Sequence, residues 1–298
     1  MATASAPNLN PTTREEWLAK RRTGIGASDV GAILGFSKWR DHLEVWADKT
    51  GRAPARDSTL RMRLGTALEP FIADEFERVT ALRVLDPGAH ALYQHPDVPY
   101  FRCTPDRLLF GPDPIPVELK SVHPFQADEW EAPWAPLDYQ AQLQFQIHIL
   151  GAKRGYLAGL TDQELMVRPF DANKRFIDQM VAKLHEFWRF VETDTEPPAD
   201  WNRAIALSGF KLLHPDDNGD TVQLGVEVLP AVQDYLDKTE MIKQLQKQAD
   251  AQKARLIAAI GDATFAEIGP YRFSYKTQER AAYEVKPSKF RVLRQCKK

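Results

Sequence analysis

The sequence contains little cysteine, with Cys103 and Cys296 the only two in 298 residues. They form no Cys-x-x-Cys pair, which excludes zinc ribbons and cysteine-held iron–sulfur clusters. The seven histidines show no His-Glu-x-x-His spacing, so the common helix-borne zinc site is excluded as well. So few cysteines are typical of a reduced protein, and we expect it in the cytoplasm.

Long hydrophobic runs are also absent. No stretch reaches the about 18 apolar residues that a membrane-spanning helix needs, and residues 1–11 lack the charged and apolar regions of a secretory signal. We expect residues 1–12 to form a flexible leader. The net charge of −2 gives no general attraction for nucleic acid. Local basic clusters, which are equally typical of a solvated face, lie at 20–22, 61–63 and 291–298.

Capping residues and apolar periodicity predict the helices. Thr13 and Glu16 have the spacing of a capping box, and Ser28 can cap a second helix. Apolar residues recur at helical spacing over 59–79. The predicted helices span residues 13–22, 28–35, 41–51, 59–79, 137–150, 173–192 and 230–260.

Short runs bounded by turn residues predict the strands. A dense turn signal at Gly111–Pro114 separates two runs, and Thr161-Asp162 joins two others into a hairpin. The predicted strands span residues 83–85, 89–93, 107–110, 116–121, 155–160, 164–169, 263–268 and 271–276. Helices followed by strands with flanking helices predict an α/β core around a mixed central sheet.

The break at Glu196-Pro197-Pro198 is the clearest internal boundary. We predict a core over 13–195 and a C-terminal extension over 196–298. The extension holds the helix over 230–260, which we interpret as an arm because Lys243 and Gln246 interrupt its heptad pattern. The role of the extension is open.

Charged residues converge at the hairpin around Gly111–Pro114. If Asp106 and Glu118 lie on its two strands, their Cβ atoms are about 5 Å apart, and Glu118 shares a strand face with Lys120. Two carboxylates suit Mg²⁺, which prefers oxygen ligands and lowers the pKa of a bound water. Lys120 could hold that water in line with a phosphorus atom. The alternative interpretation is an ordinary Glu–Lys pair on a solvated strand face.

Two further groups of residues are candidates for the same site. Glu69 lies at the edge of the apolar face of the helix over 59–79, and Glu75 lies nearer its centre, so either could supply a third carboxylate or a boundary salt bridge. Four glutamines repeat every second residue on one helix and cannot all face the site. We expect one to contact the site and the others to lie on the surface; they are Gln140, Gln142, Gln144 and Gln146.

Six motifs, in order over roughly residues 14–160, resemble the YqaJ-type viral recombinase nucleases, relatives of the phage lambda exonuclease. The motifs are Arg21-Arg22-Thr23-Gly24-Ile25-Gly26-Ala27-Ser28-Asp29-Val30 with Ile33-Leu34-Gly35, Leu43-Glu44-Val45-Trp46 with Lys49-Thr50-Gly51, Gly65-x-x-x-Glu69, Thr104-Pro105-Asp106, Glu118-Leu119-Lys120 and Tyr139-x-Ala141-Gln142-Leu143-Gln144. The resemblance implies a restriction-endonuclease-like PD-(D/E)XK core with helices around a mixed sheet.

The resemblance also implies which residues act at that site. The implied metal ligands are Asp106, Glu118 and the backbone carbonyl of Leu119. Lys120 becomes the catalytic lysine. The remaining catalytic residues that the resemblance favours, over Glu75 and over the other glutamines, are Glu69 and Gln142.

The first motif is implied to handle a DNA end with a 5′-phosphate, through Arg21, Arg22 and Ser28. A serine at a predicted helix N-terminus suits a phosphate. The implied activity is digestion of one strand from double-stranded DNA ends, 5′ to 3′, with Mg²⁺ as cofactor and Mn²⁺ as its substitute. The exposed strand would pass to a single-strand annealing partner in phage-type recombination. Some family members form trimeric rings, which need positive charge only in the channel.

Two other functions stay open at this point. An endonuclease or repair nuclease could use the same core, and it would cut closed circular DNA. A non-catalytic DNA-end-binding scaffold is disfavoured, because Asp106, Glu118 and Lys120 are all present. Trp130 and Trp134 could stack on frayed bases, with packing in or beside the core as the alternative.

Overall fold

Four of the described α-helices begin at residues whose side chains cap the helix. This computed structural model describes residues 6–54, 58–131, 133–201, 203, 205–282, 287 and 289–296. The side chains of Thr13, Asp41, Thr59 and Asn173 each accept a hydrogen bond from a backbone N–H of the following turn. The helices are α1 (Arg14–Arg22), α2 (Ala27–Ile33), α3 (His42–Lys49), α4 (Leu60–Thr80), α5 (Leu137–Leu150), α6 (Lys174–Glu192), α7 (Ala206–Leu213) and α8 (Leu229–Ile260), with 3₁₀ helices at Pro124–Trp130 and Val226–Val228.

The start of α2 differs from the prediction. Gly26, rather than Ser28, is the N-cap residue. The Asp29 carboxylate reaches back and accepts a hydrogen bond from the Gly26 N–H at 3.0 Å. Because Asp29 supplies the capping oxygen, Ser28 lies within the first turn, where it is exposed.

The strands form three sheets. A five-stranded sheet has the order β2-β5-β6-β7-β8, and a three-stranded sheet has the order β1-β4-β3. In the larger sheet β6 and β7 are parallel and the other pairs are antiparallel, so the sheet is mixed as predicted. The strands are β1 (Ile25–Gly26), β2 (Val84–Leu85), β3 (Tyr93–Gln94), β4 (Phe101–Cys103), β5 (Arg107–Leu109), β6 (Pro116–Ser121), β7 (Arg154–Leu160) and β8 (Leu165–Asp171), with β9 (Phe265–Ile268) and β10 (Tyr271–Ser274) as a separate hairpin.

The central strand β6 separates an apolar layer from a polar site. Val117 and Leu119 pack with Phe76 of α4 in a buried apolar cluster. Because side chains alternate along a strand, Glu118 and Lys120 leave the opposite face, where α5 packs. The same alternation that builds the core therefore delivers both charged groups to one side of the sheet.

Helix α4 buries a narrower face than the periodicity predicts. Its buried residues are Ile72, Ala73 and Phe76. The predicted members of that face that are instead exposed are Leu64, Phe71 and Val79. The fully buried contact with the sheet thus lies in the second half of the helix, with Leu68 packed partly buried against the same cluster.

Helices α2 and α5 approach each other closely at Gly31. A Cβ atom added there would lie 2.8 Å from Cβ of Asp138, whereas one added at Gly65 in α4 would meet nothing within 4 Å. We expect Gly31→Ala to lower the free energy of unfolding by about 1–3 kcal/mol, because two helix backbones must separate. The control Gly65→Ala is expected to raise it by up to about 1 kcal/mol through helix propensity. Chemical denaturation of both variants checks this, and equal stabilities would contradict the close approach.

Contacts divide the chain into two units, residues 1–215 and 216–298. The first unit extends past the predicted boundary at residue 195, because α7 packs on α3. There the Ser208 hydroxyl donates a hydrogen bond to Glu44 at 2.6 Å, and a Cβ atom at Gly209 would lie 2.9 Å from Cβ of Leu43.

Part of the predicted flexible leader forms backbone hydrogen bonds with the rest of the first unit. The Leu9 N–H donates to the carbonyl of Leu92 at 2.8 Å, and the Gln94 N–H donates to the carbonyl of Pro7 at 3.0 Å. Residues 1–5 of that leader lie outside the described residues.

The second unit consists of α8 and the β9–β10 hairpin, which turns at Gly269-Pro270 as predicted. None of the residues of α8 is buried within this unit. The C-terminal basic cluster also belongs to it, with Lys297 and Lys298 outside the described residues. Among the described helices of both units, none has the length and apolar content that crossing a membrane requires.

Candidate active site

The β5–β6 hairpin places Asp106 opposite Glu118. Arg107 pairs with Val117, so the next pair in this antiparallel register is Asp106 with Glu118. The Asp106 carboxylate accepts a hydrogen bond from the backbone N–H of Leu119 at 2.8 Å. The two carboxylates therefore lie side by side at the end of the hairpin.

Glu118 is the most enclosed charged group of the site, with 2% of its surface exposed. Its Oε1 accepts hydrogen bonds from the Lys120 ammonium and, at 2.5 Å, from the amide of Gln142. Its Oε2 accepts from the amide of Gln146 at 2.6 Å. Donors on both oxygens fix the plane of the carboxylate and offset part of the cost of burying its charge.

The ammonium of Lys120 is held from two sides. It lies 5.0 Å from the centre of the Tyr139 ring, within the range of a cation–π contact, and it pairs with Glu118. About a fifth of the side chain, 21%, remains exposed. The amine is thus anchored but still open to the cavity.

Negative charge accumulates at this point. Burial, followed by the charge of Glu118, raises the pKa of Asp106 well above its usual range. Burial also raises the pKa of Glu69, although Arg107 acts in the opposite direction. Burial by itself would lower the pKa of Lys120, but the carboxylates of Glu118 and Asp106 outweigh it and the pKa is raised. The lysine stays charged, and a further cation would relieve the repulsion between the carboxylates.

A cavity of about 470 Å³ joins these groups to the first sequence motif. Of the predicted site residues, those that line it are Arg21, Ser28, Glu69, Asp106, Glu118, Lys120 and Gln142. Arg22 is exposed at the end of α1 and is not among the lining residues. Three lining residues that the sequence analysis did not single out are Arg14, Trp17 and Arg102. A pattern search confined to one motif could not find them, because they come from α1 and β4.

In the wall of the cavity, Arg21 and Ser28 contact each other. The Arg21 guanidinium donates to the Ser28 hydroxyl at 2.9 Å and lies 4.6 Å from the centre of the Trp17 ring. Stacking on an aromatic ring limits the guanidinium to one plane. A cation and a hydroxyl presented together can bind a phosphate group.

The other candidate side chains, those of Glu75, Gln140 and Gln144, are bonded elsewhere. Glu75 pairs with Arg78 on the surface of α4 and does not line the cavity, so Glu69 is the α4 carboxylate at the site. Gln140 donates to the carbonyl of Ala135. Gln144 is buried and bonds the backbone of Asp171 and Asn173.

The expectation that one glutamine contacts the site and the rest lie on the surface is wrong. Gln142 and Gln146 both bond Glu118, because residues four apart share one face of a helix. Gln144 and Gln146 are both buried. Gln146 was one of the four candidates, and its spacing of four residues from Gln142 is the signal that could have assigned both to the site.

The two tryptophans also differ. Trp130 is 1% exposed and packs in the core, so it cannot stack on DNA bases. Trp134 is 67% exposed and remains accessible. The stacking hypothesis is therefore wrong for Trp130.

The donor set fits a hard divalent cation. Among the described residues, no three His, Cys, Asp or Glu side chains are close enough to make a metal site by themselves. Asp106 and Glu118 are adjacent, however, and Glu69 lines the same cavity. Mg²⁺ is commonly held by one or two carboxylates with waters and substrate oxygens, so this acidic pair fits that ion.

Comparisons with known proteins give the family and the fold. A model of the YqaJ-like viral recombinase domain matches residues 16–153. The uncharacterized protein YqaJ of Bacillus subtilis (strain 168) is 30% identical over 269 residues, which cover 89% of this chain and 83% of that protein.

Two solved structures share the core fold. The alkaline exonuclease LHK-Exo from Laribacter hongkongensis aligns with a TM-score of 0.51 and 20% identity over 60% of this chain and 93% of its own. The same protein in complex with dAMP aligns with a TM-score of 0.50, 20% identity and the same coverage. At this identity the likeness is one of fold. The match to YqaJ confirms the predicted resemblance, and the mixed sheet with its flanking helices agrees with the predicted core: the chain belongs to the YqaJ family of viral recombinase domain proteins and shares the core fold of the alkaline exonuclease LHK-Exo.

Proposed function

We propose that the protein is a Mg²⁺-dependent deoxyribonuclease that digests one strand from double-stranded DNA ends, 5′ to 3′. The observation that carries the proposal is one cavity lined both by the Asp106–Glu118 pair with Lys120 and by Arg21 with Ser28. Such a cavity can bind a terminal phosphate and place the next phosphodiester beside the carboxylates. The family and the nuclease fold support the same activity.

Asp106, Glu118 and the backbone carbonyl of Leu119 would hold the metal ion, with Mn²⁺ as a substitute for Mg²⁺. When bound, the ion would polarise the phosphodiester and lower the pKa of the attacking water. Lys120 orients that water and stabilises the charge that develops on the phosphate oxygens. Glu69 and Gln142 complete the site, since Glu69 adds a carboxylate to the cavity and Gln142 fixes Glu118.

Strand polarity follows in this proposal from the groups that bind the end. Arg21 and Ser28 would hold the 5′-phosphate, with exposed Arg22 contacting the backbone of the duplex outside the cavity. A bound 5′-phosphate places the first phosphodiester of the same strand at the carboxylates. The 3′-terminated strand is then left single-stranded, as recombination by annealing requires.

Incubation of linear and closed circular duplexes with Mg²⁺ tests the activity. We expect the linear DNA to be digested, the circle to stay intact, and EDTA to stop digestion. Labels at the 5′ and 3′ ends report polarity, and the 5′ label is expected to be released first. Cutting of the circle would favour an endonuclease, and binding without digestion would favour a DNA-end-binding scaffold.

Assembly and partners are part of the proposal. A single-strand annealing recombinase would take the exposed strand, and a trimeric ring would let modest positive charge surround the duplex. A phage or prophage source fits this pathway. Measurement of molar mass in solution on a DNA duplex tests the ring, and a monomer under those conditions would exclude it.

Gln146 supports the site without contacting DNA, so its substitution tests the role of Glu118 separately from DNA binding. It is fully buried and donates to Glu118, so we expect Gln146→Leu to lower the digestion rate about 10–100-fold and to raise the Mg²⁺ concentration for half-maximal rate. The matched control is Gln144→Leu, a buried amide on the same helix that bonds Asp171 and Asn173 instead. The control is expected to lose stability but keep the metal dependence. A folded Gln146→Leu variant with an unchanged rate and unchanged metal dependence would contradict this role.

A further inference from the structure

A buried ion cluster lies directly behind Arg21 and Ser28. It consists of Asp29, Arg40 and Lys49, and we use the name buried ion cluster for these three residues. Lys49 pairs with Oδ2 of Asp29 at 2.7 Å, and both side chains are 1% exposed. Arg40 pairs with Oδ1 of Asp29 at 2.5 Å. Charged groups this deeply enclosed are costly to desolvate and contribute little net stability as a pair. Stabilisation of the fold therefore does not explain why they lie here.

The cluster holds both ends of the segment that carries Arg21. The Lys49 ammonium donates to the backbone carbonyl of Arg21 at 3.1 Å. The Asp29 carboxylate accepts from the backbone N–H of Gly26 at 3.0 Å. One ion pair, Asp29 with Lys49, therefore closes the segment from residue 21 to residue 26.

The same cluster fixes the side chain of Arg21. A Cβ atom at Gly26 would lie 3.3 Å from Oδ2 of Asp29 and 3.4 Å from Nη2 of Arg21, so the carboxylate and the guanidinium lie against the same glycine. That guanidinium donates to Ser28, the residue immediately before Asp29. Movement of Asp29 would thus displace both Arg21 and Ser28 from the cavity wall.

The charges of the cluster are compensated on their outer side. Asp48 lies 3.4 Å from Arg40 and 3.9 Å from Lys49. The two cations and the two carboxylates balance, so the cluster adds little net charge to the cavity. Its effect on a ligand must act through the position of Arg21 and Ser28.

We propose that the buried ion cluster positions Arg21 and Ser28 to bind the 5′-phosphate of a DNA end, and thereby sets the preference for phosphorylated over hydroxyl ends. The proposal rests on the nuclease function proposed above and deepens its end-binding step. Asp29, Arg40 and Lys49 are positioning residues, because they act through the segment that carries Arg21 and Ser28 and do not bind the phosphate themselves: Lys49 bonds the Arg21 carbonyl, Asp29 bonds Gly26, and Arg40 holds Asp29. A displacement of the Arg21 guanidinium and the Ser28 hydroxyl by even about 1 Å is enough to weaken their binding of a phosphate strongly.

The test compares end preference in variants of the cluster. Lys49→Met and Asp29→Asn keep the side-chain size and remove one charge each. The matched controls are Lys174→Met and Asp178→Asn, which break an exposed pair of the same chemistry on α6. Labelled duplexes with a 5′-phosphate or a 5′-hydroxyl are titrated by fluorescence anisotropy with Ca²⁺, which supports binding without cutting if its looser coordination fails to position the water.

We expect both cluster variants to reduce the ratio of affinities for phosphate and hydroxyl ends at least about tenfold, with affinity for the hydroxyl end nearly unchanged. The two controls should keep the wild-type ratio. A folded Lys49→Met or Asp29→Asn variant with the wild-type ratio overturns the proposal. Should a buried substitution prevent folding, Arg40→Lys replaces it, since its side chain is 21% exposed; a reduced ratio supports the proposal and an unchanged ratio overturns it.

Failure of this inference is separable from failure of the proposed function. If the wild-type protein shows no preference for phosphorylated ends, the proposed 5′-phosphate binding by Arg21 and Ser28 is wrong and the role of the cluster falls with it, whereas the end-label experiment tests the 5′ to 3′ polarity independently. If the wild-type preference exists and survives in the folded cluster variants, phosphate binding by Arg21 and Ser28 stands and the role of the cluster is wrong.

Discussion

Replacement of Glu118 by Gln is expected to reduce digestion of linear duplex DNA at least about 10³-fold. The substitution removes a negative charge beside Asp106 and leaves an amide that cannot coordinate a cation with two oxygens. Both oxygens of Glu118 accept hydrogen bonds, from Lys120, Gln142 and Gln146. The new NH₂ group would therefore face a donor and lose a hydrogen bond. Initial rates under saturating Mg²⁺, with circular dichroism as the check on folding, measure the effect.

The matched control for this variant is Glu75→Gln. Glu75 lies on α4, as Glu69 does, but pairs with Arg78 on the surface. Its loss is expected to change the digestion rate less than about twofold, as for most surface substitutions. DNA binding by Glu118→Gln should persist, since Arg21 and Ser28 and their hydrogen bond are unchanged. A folded Glu118→Gln variant that digests DNA at the wild-type rate would remove the proposed site.

The second large effect on DNA digestion is expected for Lys120→Ala. We expect kcat to fall about 10²–10³-fold with a small change in KM, because the ammonium acts on the attacking water and on developing charge more than on ground-state binding. The raised pKa of Lys120, caused by Glu118 and Asp106, keeps the amine charged throughout the neutral range. Single-turnover digestion of a 5′-labelled duplex separates the chemical step from binding.

Lys174→Ala controls for the loss of a lysine from an ion pair, since Lys174 pairs with Asp178 in a fully exposed position on α6. That variant should keep the wild-type kcat. If Lys120→Ala raised KM and left kcat unchanged, Lys120 would contact DNA without taking part in the reaction.

The hairpin of the site could be predicted from sequence because its determinants are local. Gly111–Pro114 supplies the turn, and the register Arg107 with Val117 follows from it. Alternation along β6 then assigns Glu118 and Lys120 to one face. Each step depends on residues close together in the chain.

Elements that depend on distant contacts were not predictable in the same way. Helix α7 lacks a side-chain cap at Ile205 and owes its position to packing of Gly209 on α3. Strand β4 has three residues and is defined by pairing with β1 and β3. A sequence window contains none of these partners.

The start of α2, which carries Ser28, could not be predicted from local sequence either. Ser28 has a helix-capping side chain and follows a glycine-rich turn, so local propensity selected it as the cap. Gly26 is the N-cap residue instead, and Asp29 of the first turn supplies the capping carboxylate because Lys49 and Arg40 hold it in place. Those partners lie 11 and 20 residues further along the chain, and no local pattern connects them to Asp29.

Calorimetric titration of Mn²⁺ into the wild-type protein and into Asp106→Asn tests the central claim most directly. The account predicts that the wild-type protein binds the ion and that the variant, still folded, binds it at least about tenfold more weakly. Identical binding curves for the two proteins would contradict a metal site between Asp106 and Glu118.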